Sequence, residues 1–139
     1  AAGGGVAAEQ VYFTPGLPNG TGGAVLVNGT LYGSNNRGLV AADFMTGKIL
    51  WRTEPDQSVG QSSVMYAEGR LYVQGFNNDV ALVDATPKAY RELGRFTPPG
   101  RPQRLRGDRE ASWSHPVVAG GRLYIRDLST LWCYDVSAR

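Results

Sequence analysis

The sequence is poor in the residues that most often carry chemistry. Its 139 residues include one cysteine, Cys133, and one histidine, His115. One cysteine excludes an internal disulfide and any CxxC pair, and it leaves the redox compartment open. One histidine excludes a typical zinc site without carboxylate help. No apolar run reaches the ~18 residues of a membrane-spanning helix, no signal peptide is evident, and alanine-rich helical patterns are absent. Charge of one sign is also scarce. The 14 basic and 12 acidic side chains leave +2, so the surface as a whole implies no polyelectrolyte partner. The chain opens on "AAGGG" rather than Met, and the reading expects a processed or truncated product.

Glycine (19) and proline (8) are plentiful beside a hydrophobic share of 42%. That suits a domain with many tight turns and a core to bury. The turns fall in a repeat. Leu31-Tyr32, Leu71-Tyr72 and Leu123-Tyr124 recur at spacings of 40 and 52 residues. Two turn residues precede each pair: Asn28-Gly29, Glu68-Gly69 and Gly120-Gly121. Such a two-residue loop between apolar runs is the strongest short-range hairpin signal. A second polar turn follows, and then a strand closing on Asp43, Asp84 or Asp135, at offsets of 12, 13 and 12 from the leucine. A fourth strand is expected at "KILWRT" (48–53) and "YRELGRF" (90–96), and none in the third copy. "EQVYFT" (9–14) is expected as a lone strand ahead of the first copy.

Four antiparallel strands in about 40 residues make a blade of a β-propeller. The fold class expected is therefore all-β: antiparallel four-stranded blades, about three of them, in an incomplete ring. Residues 1–22 hold the lone strand and a loop, 23–53 blade one, 60–96 blade two, 97–110 an insertion, and 111–139 an incomplete blade three. A β-sandwich also has short strands, but not self-similar ones at fixed offsets. Three blades leave an apolar face at each end. The reading therefore expects the C-terminal end of a longer propeller, or a ring completed by another chain.

Blade one contains "AADFMTGKILW" (41–51). This resembles the Ala-x-Asp-x-x-x-Gly-x-x-x-Trp signature of pyrroloquinoline-quinone-like (PQQ-like) repeat propellers, at Ala41, Asp43, Thr46, Gly47 and Trp51. The resemblance implies a docking motif. The tryptophan packs between blades and the Asp-to-Gly turn holds the last hairpin. Blade two keeps Asp84 and has no tryptophan at its fourth strand. The family includes quinone-dependent dehydrogenases and outer-membrane assembly lipoproteins that bind no quinone. It implies an extracytoplasmic, periplasmic bacterial setting, peripheral to a membrane complex.

The family's dehydrogenases imply PQQ, a calcium ion, a catalytic aspartate and often a vicinal disulfide. The disulfide is impossible here, and Asp43, Asp84 and Asp135 recur with the repeat, as structural residues do. No cofactor, metal or catalytic residue is expected in this chain. Ser112 or Ser114 with His115 suggests a hydrolase only weakly, because adjacent strand residues face opposite ways and no G-x-S-x-G elbow is present. Pro116 instead reads as opening a strand at an edge. Cys133, between Trp132 and Tyr134, reads as a buried small apolar residue. Asn19 and Asn28 head formal glycosylation sequons, and neither is read as a glycan site.

The insertion "TPPGRPQRLRGDRE" (97–110) carries Arg101, Arg104, Arg106 and Arg109, with Phe96 and Trp113 placed to anchor its ends. Residues 88–110 hold seven basic and three acidic side chains, so the positive charge is concentrated there. Arginine suits bidentate contact with carboxylates and phosphates. The readings are a solvated loop, a loop docking an acidic protein surface, and an anionic lipid or nucleic-acid contact. Nucleic acid is disfavoured because aromatic interleaving is absent. The function expected is a non-catalytic interaction or scaffold module in an envelope or membrane-associated assembly, with other protein chains as partners. The alternative is part of a PQQ-dependent dehydrogenase whose active site lies outside these residues.

Overall fold

The computed structural model describes residues 5–103, 112 and 114–137. These residues contain strands and turns but no helix. Blade one is formed by β1 (Ala24–Val27), β2 (Thr30–Asn35), β3 (Gly38–Asp43) and β4 (Ile49–Arg52). Blade two is formed by β5 (Ser62–Ala67), β6 (Arg70–Gly75), β7 (Val80–Asp84) and β8 (Glu92–Phe96). Blade three has β9 (Val117–Ala119), β10 (Arg122–Asp127) and β11 (Thr130–Asp135). Each sheet is an antiparallel meander in chain order. The expected class, incomplete four-stranded blades of a β-propeller, is the architecture found.

The three hairpins that begin the blades share one geometry. Asn28 and Gly29 have φ of 46° and 79°, Glu68 and Gly69 of 47° and 77°, and Gly120 and Gly121 of 57° and 70°. Two successive left-handed residues make the turn whose twist matches the flanking strands. Leu31 and Leu71 are paired with Leu26 and Tyr66 across these hairpins.

The blades stack face to face. Tyr32, Leu39, Ala41 and Trp51 of blade one meet Val64, Leu71, Val73, Ala81 and Val83 of blade two. On its other side, blade two sets Tyr72 and Val80 against Leu123, Ile125, Val118, Trp132 and Tyr134 of blade three. Consecutive strand residues point to opposite faces, so the central strands of blade two are apolar on both. The first strands converge, β1 against β5 and β5 against β9. The approach is so close at Gly22 that a Cβ there would lie 2.1 Å from the Ser62 carbonyl oxygen. Beside it the Ser34 hydroxyl, fully buried, donates to that same carbonyl at 2.8 Å and accepts the Ser62 amide at 3.0 Å.

Two expectations need correction. Residues 9–14 form no strand, because a strand needs a ladder partner and none lies beside them among the described residues. They belong to a segment that runs along blade one. There Asn19 and Gly20 donate to the Ser34 carbonyl at 3.1 and 2.8 Å, and the Tyr12 hydroxyl donates to the Phe44 carbonyl at 2.9 Å. Cys133 is exposed rather than buried. Trp132 and Tyr134 take the β11 face toward blade two, so alternation turns Cys133 to the far face, which no described element covers.

Candidate functional site

The seam between blades one and two is built on the 41–51 segment. The Asp43 carboxylate accepts the Thr46 amide at 2.8 Å and the Thr46 hydroxyl at 2.7 Å. These bonds stabilise the charged form and hold the carboxyl below its usual pKa. Gly47 donates to the Asp43 carbonyl at 2.8 Å with φ of +69°, a conformation that favours glycine. The tight turn sends the chain back as β4 and places Trp51 opposite Ala41. Trp51 is buried between the rings of Tyr32 (5.9 Å) and Tyr90 (5.8 Å). Its indole Nε1 donates to the Thr86 carbonyl of blade two at 2.8 Å. One side chain thus closes an apolar seam and fixes its register with a directional bond.

The second seam is closed differently. In blade two, Leu82 pairs with Gly94, as Ala41 pairs with Trp51, so glycine stands where blade one has its tryptophan. An apolar crevice of about 190 Å³ remains there, lined by Tyr72, Val80, Leu82, Gly94, Arg95, Phe96, Leu123 and Val136. Nothing lies within 4 Å of a Cβ built on Gly94. Closure comes from blade three instead. Phe96 packs edge-on against Tyr134 at 4.8 Å, and the Trp132 indole donates to the Pro99 carbonyl at 2.9 Å. Sequence reasoning missed Gly94 and Trp132. No sequence offset locates the glycine, since Trp51 lies 8 residues after Asp43 and Gly94 lies 10 after Asp84; only the strand pairing equates them.

The base of the insertion is tied down on the same seam. Thr97 donates its hydroxyl to Asp79 at 2.5 Å. Arg101 lies 3.5 Å from the carboxylate of Asp127, which is almost fully buried, and also donates to the Phe76 carbonyl at 3.4 Å. Arg101, expected as a partner contact, therefore has an ion pair within its own chain. Arg104, Arg106 and Arg109 lie outside the described residues, as does Trp113.

The Ser–His pairing does not assemble. Ser112 is buried, its hydroxyl donating to the Arg126 carbonyl at 3.1 Å and accepting from Gln74 at 2.8 Å, while His115 is exposed. Ser112 is instead a polar link between blades two and three, the counterpart of Ser34 in the first seam. Asn28 is the first residue of its hairpin turn, as the repeat indicates.

The repeated blades have a counterpart among known families. Residues 2–89 match the model of a family described as outer membrane protein assembly factor BamB, built from PQQ-like repeats. The chain belongs to this PQQ-like repeat family. No curated protein matches it. The matched stretch takes in blade one, with its full docking motif, and blade two through its third strand.

Membership in a PQQ-like family raises the question of what these residues could offer quinone and calcium. Among the described residues no three His, Cys, Asp or Glu side chains come together as a metal site. The repeat aspartates are engaged in separate blades: Asp43 with Thr46, Asp84 with Arg70 and Arg91 at 3.4 and 3.5 Å, and Asp135 with Ser137. Each is thus engaged within its own blade. Also among the described residues, no helix is long and apolar enough to cross a membrane.

Proposed function

We infer that this PQQ-like repeat chain works as a non-catalytic interaction or scaffold module. It would serve an envelope or membrane-associated assembly on the periplasmic or another extracytoplasmic side. The observation that carries the reading is the fixed stem of the insertion. Thr97, Pro99 and Arg101 are bound to Asp79, Trp132 and Asp127. Arg104, Arg106 and Arg109 follow directly in sequence. A stem held by the seam between two blades gives the arginines that follow it a fixed base, and preorganisation of this kind lowers the cost of binding. Guanidinium groups favour carboxylates there, so the partner proposed is an acidic protein surface. The family description, an assembly factor, supports the same reading.

The test keeps Arg101, whose ion pair belongs to the fold, and replaces Arg104, Arg106 and Arg109 with Ala. Immobilised wild-type and variant chains are compared for capture from detergent-solubilised envelopes across a salt series. A protein retained by the wild type, released by rising salt and absent from the triple variant supports the loop as the contact. Equal capture by both chains returns the loop to a solvated surface element. Incubation with PQQ and calcium addresses chemistry separately. A bound redox-active chromophore would sink the non-catalytic reading and favour the dehydrogenase alternative.

A further inference from the structure

Four arginines are ion-paired within the chain: Arg70 and Arg91 with Asp84, Arg95 with Glu92, and Arg101 with Asp127. Arg37 and Arg52 have no such partner among the described residues, and the fold brings these two to one pocket. It has a volume of about 160 Å³ and is lined by Gly16, Asn19, Asn35, Asn36, Arg37 and Arg52. No carboxylate is among those residues.

The pocket is held from inside the fold. Arg52 follows Trp51 on β4, so alternation turns it to the face opposite the first seam, and Arg37 stands in the turn between β2 and β3. Asn35, 7% exposed, pins that turn to the segment before β1. Its Nδ2 donates to the Gly16 carbonyl at 3.2 Å, and its Oδ1 accepts the Arg37 amide at 2.8 Å. Gly16, with φ of +84°, carries the segment so near β4 that a Cβ there would lie 3.7 Å from Nη2 of Arg52. Asn36 accepts at Oδ1 from the Gln61 Nε2 at 2.5 Å. The Gly16 carbonyl and the side-chain oxygens of Asn35 and Asn36 therefore each have a donor already. What the pocket still offers is donors, namely two guanidinium groups and the Asn36 Nδ2.

Unpaired guanidinium groups beside spare amide donors select an anion. A carboxylate has one charge and two oxygens, which a single guanidinium fork satisfies. A phosphate monoester has a charge of about −1.5 to −2 at neutral pH and three acceptor oxygens, which matches two forks and an amide. We propose that Arg37 and Arg52, with Asn36, form a binding site for a phosphate-monoester group. The site goes beyond the scaffold reading and uses no residue of the arginine loop, so its failure would leave that reading untouched.

The experiment titrates the 139-residue chain with inorganic phosphate, glycerol phosphate and acetate by calorimetry, at constant ionic strength. Both phosphates should bind saturably at one site per chain, and acetate at least about tenfold more weakly. Arg37→Gln and Arg52→Gln should each weaken phosphate about tenfold or more with an unchanged circular dichroism spectrum, since both side chains are exposed. Arg52→Lys keeps the charge and loses the fork, so it should also bind more weakly than wild type. Arg122→Gln, on blade three, should bind as wild type does. Co-sedimentation with phosphatidylcholine vesicles containing phosphatidic acid separates the sources. Retention reversed by glycerol phosphate places the group on a lipid headgroup, and no retention places it on a soluble anion. The absence of saturable phosphate binding overturns the proposal. So does acetate binding as tightly as phosphate, or phosphate binding indifferent to Arg37→Gln and Arg52→Gln.

Discussion

Replacing Trp51 with alanine tests whether one side chain governs the first seam. The indole is 8% exposed, lies between Tyr32 and Tyr90, and donates to Thr86 across the seam at 2.8 Å. Truncating a buried aromatic to alanine costs ~3–5 kcal/mol, cavity included. The lost hydrogen bond supplies ~1 kcal/mol of that, and each ring pair adds ~0.5–1.5 kcal/mol to plain burial. Trp51→Phe keeps a ring against both tyrosines and loses the donor, so it should cost ~1–2 kcal/mol. Total stabilities run near 5–15 kcal/mol, so the alanine variant forfeits a large share. Equilibrium urea unfolding followed by circular dichroism reads the difference directly. With an m-value of about 1–3 kcal/mol/M the midpoint should fall by at least ~1 M. An alanine variant within about 1 kcal/mol of wild type would refute the reasoning, because the seam would then be closed by contacts that do not pass through Trp51. A phenylalanine variant as damaged as alanine would assign the effect to the hydrogen bond rather than the packing.

Two further outcomes follow from the second seam and from the buried tyrosines. Gly94→Trp should raise stability by ~1–2 kcal/mol by filling the apolar crevice of about 190 Å³, with Gly94→Ala close to neutral; a tryptophan variant that melts below wild type would mean the crevice cannot accept the ring. Tyr32, Tyr72, Tyr90 and Tyr134 all have phenol pKa values raised first by burial, so the folded state favours their protonated forms. That stability is fully present below the unfolded tyrosine value of ~10 and is lost as pH rises through the folded values. The thermal midpoint should hold up to about pH 10 and decline above it. Tyr90→Phe should flatten the decline, and a midpoint insensitive to alkali would contradict the burial of these phenols.

The hairpins were legible because their cause is local. A two-residue turn with both φ positive selects Gly and Asn, and Asn28-Gly29 and Gly120-Gly121 carry that chemistry openly. Glu68 takes the same conformation, with φ of 47°, and was found only through its place in the repeat. Trp51 was legible through the resemblance of residues 41–51 to the docking signature of PQQ-like repeats. Cys133 misled because its neighbours do face inward. Whether the alternate face is covered depends on what packs beyond the blade, which no window of the sequence contains. The partner of Arg101 is equally remote, 26 residues along at Asp127.

The least legible feature, Gly94, ties these points together. A missing side chain leaves no pattern to find, yet a seam without its tryptophan still has to exclude water. Trp132 reaches in from the opposite blade, and the acceptor for its indole is the carbonyl of Pro99, a residue of the insertion. Arg101, two residues on, reaches Asp127 of blade three. The insertion thus enters where the docking tryptophan is lost, and its first residues supply part of the closure that the tryptophan supplies in blade one. Its stem belongs to the seam, so shortening the insertion from Pro99 onward should loosen blades two and three from each other.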